Sequence, residues 1–132
     1  MYYFAYASNL NQKQMKQRCP DSKPLFTATL PHYKLVFLGW SREWHGATAS
    51  IRVFRGEKVL GAVYEVSEQC LRQLDKLESG YSRLKVTVFN EDSVPTEAIT
   101  YIRGAQIQLQ EGKPSAEYLA VIQQGYRDWR LV

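Results

Sequence analysis

One carboxylate stands out by its position. Glu78 closes the segment Leu74-Asp75-Lys76-Leu77-Glu78-Ser79-Gly80-Tyr81, at the end of a helical pattern and just before a glycine. A carboxylate there opposes the negative end of the helix dipole. Set against that preference, beside a glycine turn and a tyrosine, Glu78 is a candidate for the raised pKa that suits a general base. Asp75 and Lys76 read as solvated neighbours.

Three other segments carry residues able to act with it. In Tyr3-Phe4-Ala5-Tyr6-Ala7-Ser8-Asn9 an apolar strand runs into a turn of small and amide-bearing residues and then a helix. Such a turn presents consecutive N–H groups to an anion or a developing oxyanion. An ordinary strand-to-helix turn capped by Ser8 or Asn9 has the same residues. In Trp44-His45-Gly46-Ala47-Thr48-Ala49 large aromatics precede a run of tiny residues, as where backbone approaches a ligand or a neighbouring strand closely. In Pro114-Ser115-Ala116-Glu117-Tyr118 the tyrosine opens the last helix, where it can aim into a pocket or start a core stripe.

The elements that must hold these segments follow from periodicity. Residues 2–6 read as a buried strand and residues 11–18 as a short polar helix stopped by Pro20. Residues 34–38 are strand-like, and 39–46 form a loop with Trp40, Trp44 and His45. Residues 49–54 and 60–66 read as partner strands across a turn at Arg55-Gly56-Glu57. Ser67 caps a helix whose buried face carries Cys70, Leu71, Leu74 and Leu77, ending at Ser79-Gly80. Leu84, Val86 and Val88 alternate with polar residues as in a half-buried strand, and 97–102 form another. Residues 104–113 read as a polar connection. Ser115 caps a last helix with the stripe Tyr118, Leu119, Ile122, Tyr126 and Trp129. Strands and helices fall in blocks, which predicts one α+β domain over residues 1–132 with a mainly antiparallel or mixed curved sheet.

Composition narrows the chemistry. The chain has 132 residues, enough for one core, with an ordinary 45% hydrophobic fraction. No apolar run is long enough to span a membrane, and the start lacks the charge and cleavage pattern of a signal peptide, so a cytoplasmic location is expected. Two cysteines, Cys19 and Cys70, suggest no disulfide framework, and Cys70 reads as a small buried hydrophobe. With two histidines and no ligand cluster, neither metal nor cofactor is expected. The net charge of +4 is spread among acidic residues rather than gathered into a stripe, so no nucleic-acid partner is expected. Trp40 and Trp44 can line a pocket or an interface, which leaves monomer and homodimer both open. Signatures of serine hydrolases, nucleotide-binding loops and zinc proteases are absent from the sequence.

Taken in order, Tyr-Ala-Ser-Asn-Leu after the first strand, Trp-His-Gly in the middle, Leu-Asp-x-Leu-Glu before a strand and Pro-Ser-x-x-Tyr on the last helix form one pattern. From Tyr3 to about Tyr126 it resembles the γ-glutamylcyclotransferase family. The resemblance implies a small mixed, mainly antiparallel β-barrel flanked by helices. It implies an enzyme that cleaves a γ-glutamyl amide by internal cyclisation, releasing 5-oxoproline and an amine. By position, Glu78 becomes the proton acceptor, with Tyr3, Phe4, Ala5, Tyr6, Ala7 and Ser8 as the substrate-holding turn and Tyr118 as its partner. A non-catalytic small-molecule binding module on the same fold is the alternative. The family's turn usually has glycine where this chain has Ala7, and glycine where it has Ser79. A positive φ at Ala7 would cost on the order of 1 kcal/mol.

Overall fold

The computed structural model describes residues 1–104 and 108–131. The elements in chain order are β1 (Tyr2–Ala5), α1 (Gln12–Arg18), β2 (Lys23–Ser41), β3 (Gly46–Glu65), α2 (Glu68–Leu77), β4 (Tyr81–Phe89), β5 (Pro95–Arg103) and α3 (Ala116–Asp128). A single 3-10 turn, Ser8–Leu10, joins β1 to α1.

The strands close a barrel in the order β1-β3-β2-β4-β5. All neighbouring pairs are antiparallel except β1 with β5, whose parallel contact at Tyr3 and Ile99 shuts the barrel. β1 reads as a continuous apolar run because both of its faces are covered. Phe4 enters one cluster with Ala28, Leu30, Ile51, Val63, Val86 and Val88, to which α3 adds Tyr118 and Ile122. Tyr3 and Ala5, one position off on either side, enter a second cluster with Met15, Tyr64, Leu71 and Leu74, where α1 and α2 pack. Phe4 is fully buried, a burial worth roughly 1.5–3 kcal/mol.

Local structure departs from expectation at four places. β2 begins at Lys23, well before the expected strand at 34–38. Pro24 and Pro31 disguise it; each sits beside a register shift, where a missing N–H is tolerated. Arg55-Gly56-Glu57 does not reverse the chain, because β3 runs through it. Residues 54–57 bulge opposite His32, and both flanking stretches pair with β2 rather than with each other. Gly56 N–H donates to His32 Nδ1 at 3.2 Å across the bulge.

Leu77, expected on the buried face of α2, is 39% exposed at the last helical position. The fourth departure is covalent: Cys19 and Cys70 form a disulfide, with Cα atoms 5.4 Å apart. They lie at the C-terminal end of α1 and in the first turn of α2, a juxtaposition that only the packing of the two helices creates.

The caps follow the sequence. Ser67 Oγ accepts from Cys70 N–H, and Ser115 Oγ accepts from Tyr118 N–H. Positions 105–107 of the expected polar connection lie outside the described residues. No helix among the described residues is long and apolar enough to cross a membrane.

Candidate active site

Glu78 is the residue that ends α2. Its N–H still donates to Leu74 O at 2.8 Å, while its own carbonyl accepts from Tyr81 N–H at 3.0 Å. Gly80, at φ +85°, lets the chain turn directly into β4. The side chain therefore leaves the helix and enters the mouth of the barrel, where it is 19% exposed. Glu78 Oε1 lies 3.4 Å from both Arg18 Nη1 and Asn9 Nδ2. Burial pushes the carboxyl above its ordinary pKa, and the nearby Glu43 adds to this. The Arg18 cation and the Asn9 amide pull it back, without cancelling the rise.

The turn that follows β1 faces this carboxylate. Ala7 has φ −136°, so the alanine in place of glycine meets no left-handed penalty. Among the described residues, no backbone or side-chain acceptor takes the N–H groups of Ala7 or Ser8. The helix cap is Asn11, whose Oδ1 accepts from Gln14 N–H at 3.0 Å, so neither Ser8 nor Asn9 is used as a cap.

Asn9 is instead the hub of the site. Its Nδ2 also donates to Tyr3 Oη at 2.9 Å, and its Oδ1 accepts from Arg18 Nη1 at 3.0 Å and Gln14 Nε2 at 3.1 Å. The turn is clamped from outside by α3. A Cβ on Gly125 would lie 2.6 Å from Asn11 N, and Trp129 Nε1 donates to Leu10 O at 2.9 Å.

Three tyrosines complete the wall. Tyr118 Oη accepts from Ala49 N–H at 2.9 Å, and Tyr81 Oη donates to Ala49 O at 2.5 Å. Tyr6 Oη donates to Tyr101 O at 2.6 Å. Burial raises all three hydroxyls, that of Tyr81 to about 12, so each is a neutral hydrogen-bonding group at ordinary pH. The Trp44 ring lies 4.9 Å from that of Tyr118.

These residues surround an outer cavity of about 360 Å³ and an inner one of about 30 Å³. Ser8, Glu78, Tyr81 and Tyr118 line both. The outer volume suits a small peptide, while the inner holds little more than a water molecule.

Of the residues singled out from sequence, Glu78, Tyr3, Tyr6, Ala7, Ser8 and Tyr118 converge on these cavities. Phe4 and Ala5 line neither, since both side chains are buried in the packing on either side of β1. Sequence reading left out Arg18, Thr48, Tyr81 and Arg103. Tyr81 was adjacent to a recognised signal, the Glu78-to-Gly80 turn. Arg18 carries no local signal beyond its charge, and Thr48 and Arg103 reach the cavity solely through barrel closure. Among the described residues no three His, Cys, Asp or Glu side chains group closely enough to hold a metal ion.

Known proteins resemble this chain in sequence and fold over nearly its whole length. The family described as Gamma-glutamyl cyclotransferase, AIG2-like matches residues 3–129. A Gamma-glutamylcyclotransferase of Bos taurus is 31% identical, the match covering 96% of this chain and 70% of that protein. Its Homo sapiens counterpart is 30% identical, with the same coverage. A solved Gamma-glutamyl cyclotransferase structure superposes with a TM-score of 0.91 at 28% identity, covering 99% of this chain and 80% of the other.

Proposed function

We infer that this chain, which belongs to the Gamma-glutamyl cyclotransferase, AIG2-like family, cleaves γ-glutamyl amides by internal cyclisation, with Glu78 as the proton carrier. The substrate brings its own nucleophile. Its α-amine reaches the γ-carbonyl to close a five-membered ring, so a site that holds the folded conformer recovers much of the cost of orientation. A serine or cysteine nucleophile is not needed.

A base is needed, because an α-amine is largely protonated at neutral pH, with a reference pKa near ~7.7–8.0 for a peptide terminus. Glu78 takes a proton from the α-ammonium, and the freed nitrogen attacks the γ-carbon. The carbonyl π electrons move to oxygen, forming the tetrahedral intermediate. Its oxyanion, or the substrate's α-carboxylate, has the free N–H groups of Ala7 and Ser8 as donors. Collapse breaks the bond to the leaving nitrogen, which Glu78 protonates. Over the cycle two protons pass from the α-nitrogen to the leaving nitrogen, giving the lactam N–H of 5-oxoproline and a free ammonium.

One observation supports this assignment above the rest. A carboxylate with a raised pKa lines the same small cavity as two N–H groups that lack partners among the described residues. A carboxylate whose pKa burial has raised is a better match to an ammonium substrate than an ordinary glutamate near ~4.3, which is a poor acceptor. The negative φ at Ala7 removes one of the two grounds for a binding module that has lost activity, the other being the altered Glu78-to-Tyr81 segment.

The direct test is to incubate the protein with γ-glutamyl dipeptides and γ-glutamylamines and to measure 5-oxoproline. Glu78→Gln releasing product at the wild-type rate would remove Glu78 from the mechanism.

A further inference from the structure

The outer cavity holds more positive charge than the mechanism above uses. Arg18, Arg42 and Arg103 line it, against the carboxylates of Glu43 and Glu78. Arg18 takes both acids, at 3.4 Å from Glu78 and 3.8 Å from Glu43. Arg103 is half-buried and has no carboxylate within 4 Å among the described residues.

It is nevertheless held firmly in place. Arg103 Nη1 donates to Thr48 Oγ1 at 2.6 Å and approaches Leu38 O at 3.4 Å. Its backbone N–H is fixed by Ser50 Oγ at 2.8 Å. The guanidinium carbon lies 5.9 Å from the Tyr81 ring centroid, and Nη2 occupies the space where any side chain at position 39 would begin, 2.9 Å from a Cβ on Gly39. Nε and Nη2 make no hydrogen bond among the described residues. A half-buried cation with a spare donor fork and no acid beside it is costly unless an anion joins it.

We propose that Arg103 is the residue that receives the carboxylate of the leaving portion, and that it sets this chain's preference for a carboxylate-bearing leaving group over a neutral or cationic amine. This rests on the cyclotransferase reading of the same cavity. Glu78 and the Ala7-Ser8 turn serve the glutamyl half where the outer cavity meets the inner one. Tyr81 stands between the two halves, its hydroxyl 2.9 Å from the Thr48 Oγ1 that also accepts from Arg103. Arg103 is then a specificity-determining residue, whose fork matches the planar, two-oxygen shape of a carboxylate.

The test uses γ-glutamylalanine and γ-glutamylalaninamide, which differ in one charge and scarcely in shape. Wild-type protein is expected to favour the acid by roughly ten- to a hundredfold in kcat/KM, the size of one charge-assisted contact. Arg103→Gln should bring that ratio close to one, and Arg103→Lys should keep part of it. Equal kcat/KM for the two substrates in wild type overturns the proposal. So does an Arg103→Gln variant in which both fall together, the result expected if Arg103 holds the glutamyl half or only supports the fold.

Calorimetry of both ligands on Glu78→Gln separates this from the reaction itself. A binding preference for the acid that Arg103→Gln abolishes, with no 5-oxoproline from any substrate, sinks the cyclotransferase reading and leaves the Arg103 subsite standing. Equal binding of acid and amide, or binding of neither, sinks the subsite.

Discussion

Asp75 and Glu78 sit three residues apart on the same helix end, each beside an arginine, yet their carboxyl groups are pushed in opposite directions. Asp75 accepts from Arg83 Nε at 3.0 Å and Nη2 at 2.8 Å, and from Tyr101 Oη at 2.6 Å. These bonds, Arg83's first, hold its pKa below the ordinary value. The sequence predicts a merely solvated Asp75, and its side chain is indeed 40% exposed, but the arginine that β4 brings across engages it. Glu78 has longer contacts, at 3.4 Å, and half of Asp75's exposure, and its pKa rises. The presence of an arginine decides neither case. Depth of burial and closeness of pairing do: the tight exposed pair holds its carboxyl low, while the loose buried one leaves its carboxyl raised, as the proposed role of Glu78 as a base requires.

The largest expected effect separates the two by activity. Glu78→Gln should lower kcat by about 10²–10⁴, the range for loss of a positioned general base, while Asp75→Asn stays close to wild type in the 5-oxoproline assay. If both variants lose activity alike, the distinction drawn between them is wrong.

The next effect is on the pH profile. Glu78 must be ionised to accept a proton, so kcat/KM should fall on the acid side through a limb that lies above the pKa of an ordinary carboxylate. Because Arg18 pulls that pKa down, Arg18→Gln should move the limb to still higher pH. A limb that moves to lower pH, or stays where it was, would show that Arg18 does not tune the base.

Thermal melts sharpen the contrast with a change of sign. Glu78 binds its proton more tightly folded than unfolded, so its ionisation costs stability. That cost grows as pH rises from the unfolded pKa towards the folded one and persists above it. Glu78→Gln should therefore raise Tm at pH 7, a gain that shrinks towards pH 4. Asp75 does the reverse, since its stabilisation is present above the unfolded pKa and is lost as pH falls through the folded one. Asp75→Asn should lower Tm at pH 7, and the loss should fade on acidification.

The smallest effect is the size of that second loss. The Arg83 network with Asp75 and Glu68 lies near the surface, and exposed pairs are worth at most about 1 kcal/mol. A double-mutant cycle on Asp75 and Arg83 that returns several kcal/mol would move this cluster from surface pair to core element.

What could be read from sequence was local. Ser67 and Ser115 announce helix starts through their own hydroxyls, and both do so in the structure, while Gly80 falls two residues past the Glu78 cap and makes the turn into β4. The alternation of Leu84, Val86 and Val88 reports a strand with one buried face. What could not be read depends on residues far apart in the chain. Tyr3 meeting Ile99 closes the barrel, and no periodicity contains that contact. Arg103 reaches Thr48 across 55 positions, so its side chain is invisible as a site residue until the sheet is assembled. Glu78 was legible because its helix end, its glycine and its tyrosine are adjacent, although the depth that raises its pKa is not a local property.

The Cys19–Cys70 bond ties a knot of another kind. The two cysteines are 51 positions apart, and the segment between them includes the whole of β2 and β3, so the long hairpin hangs from a covalent buckle at its base. One side of that buckle follows directly on Arg18, and the other opens the helix that ends in Glu78. The cation and the carboxylate are thus leashed to a common point, and heat or denaturant that frays the barrel cannot carry the two helices far apart while the bond is closed.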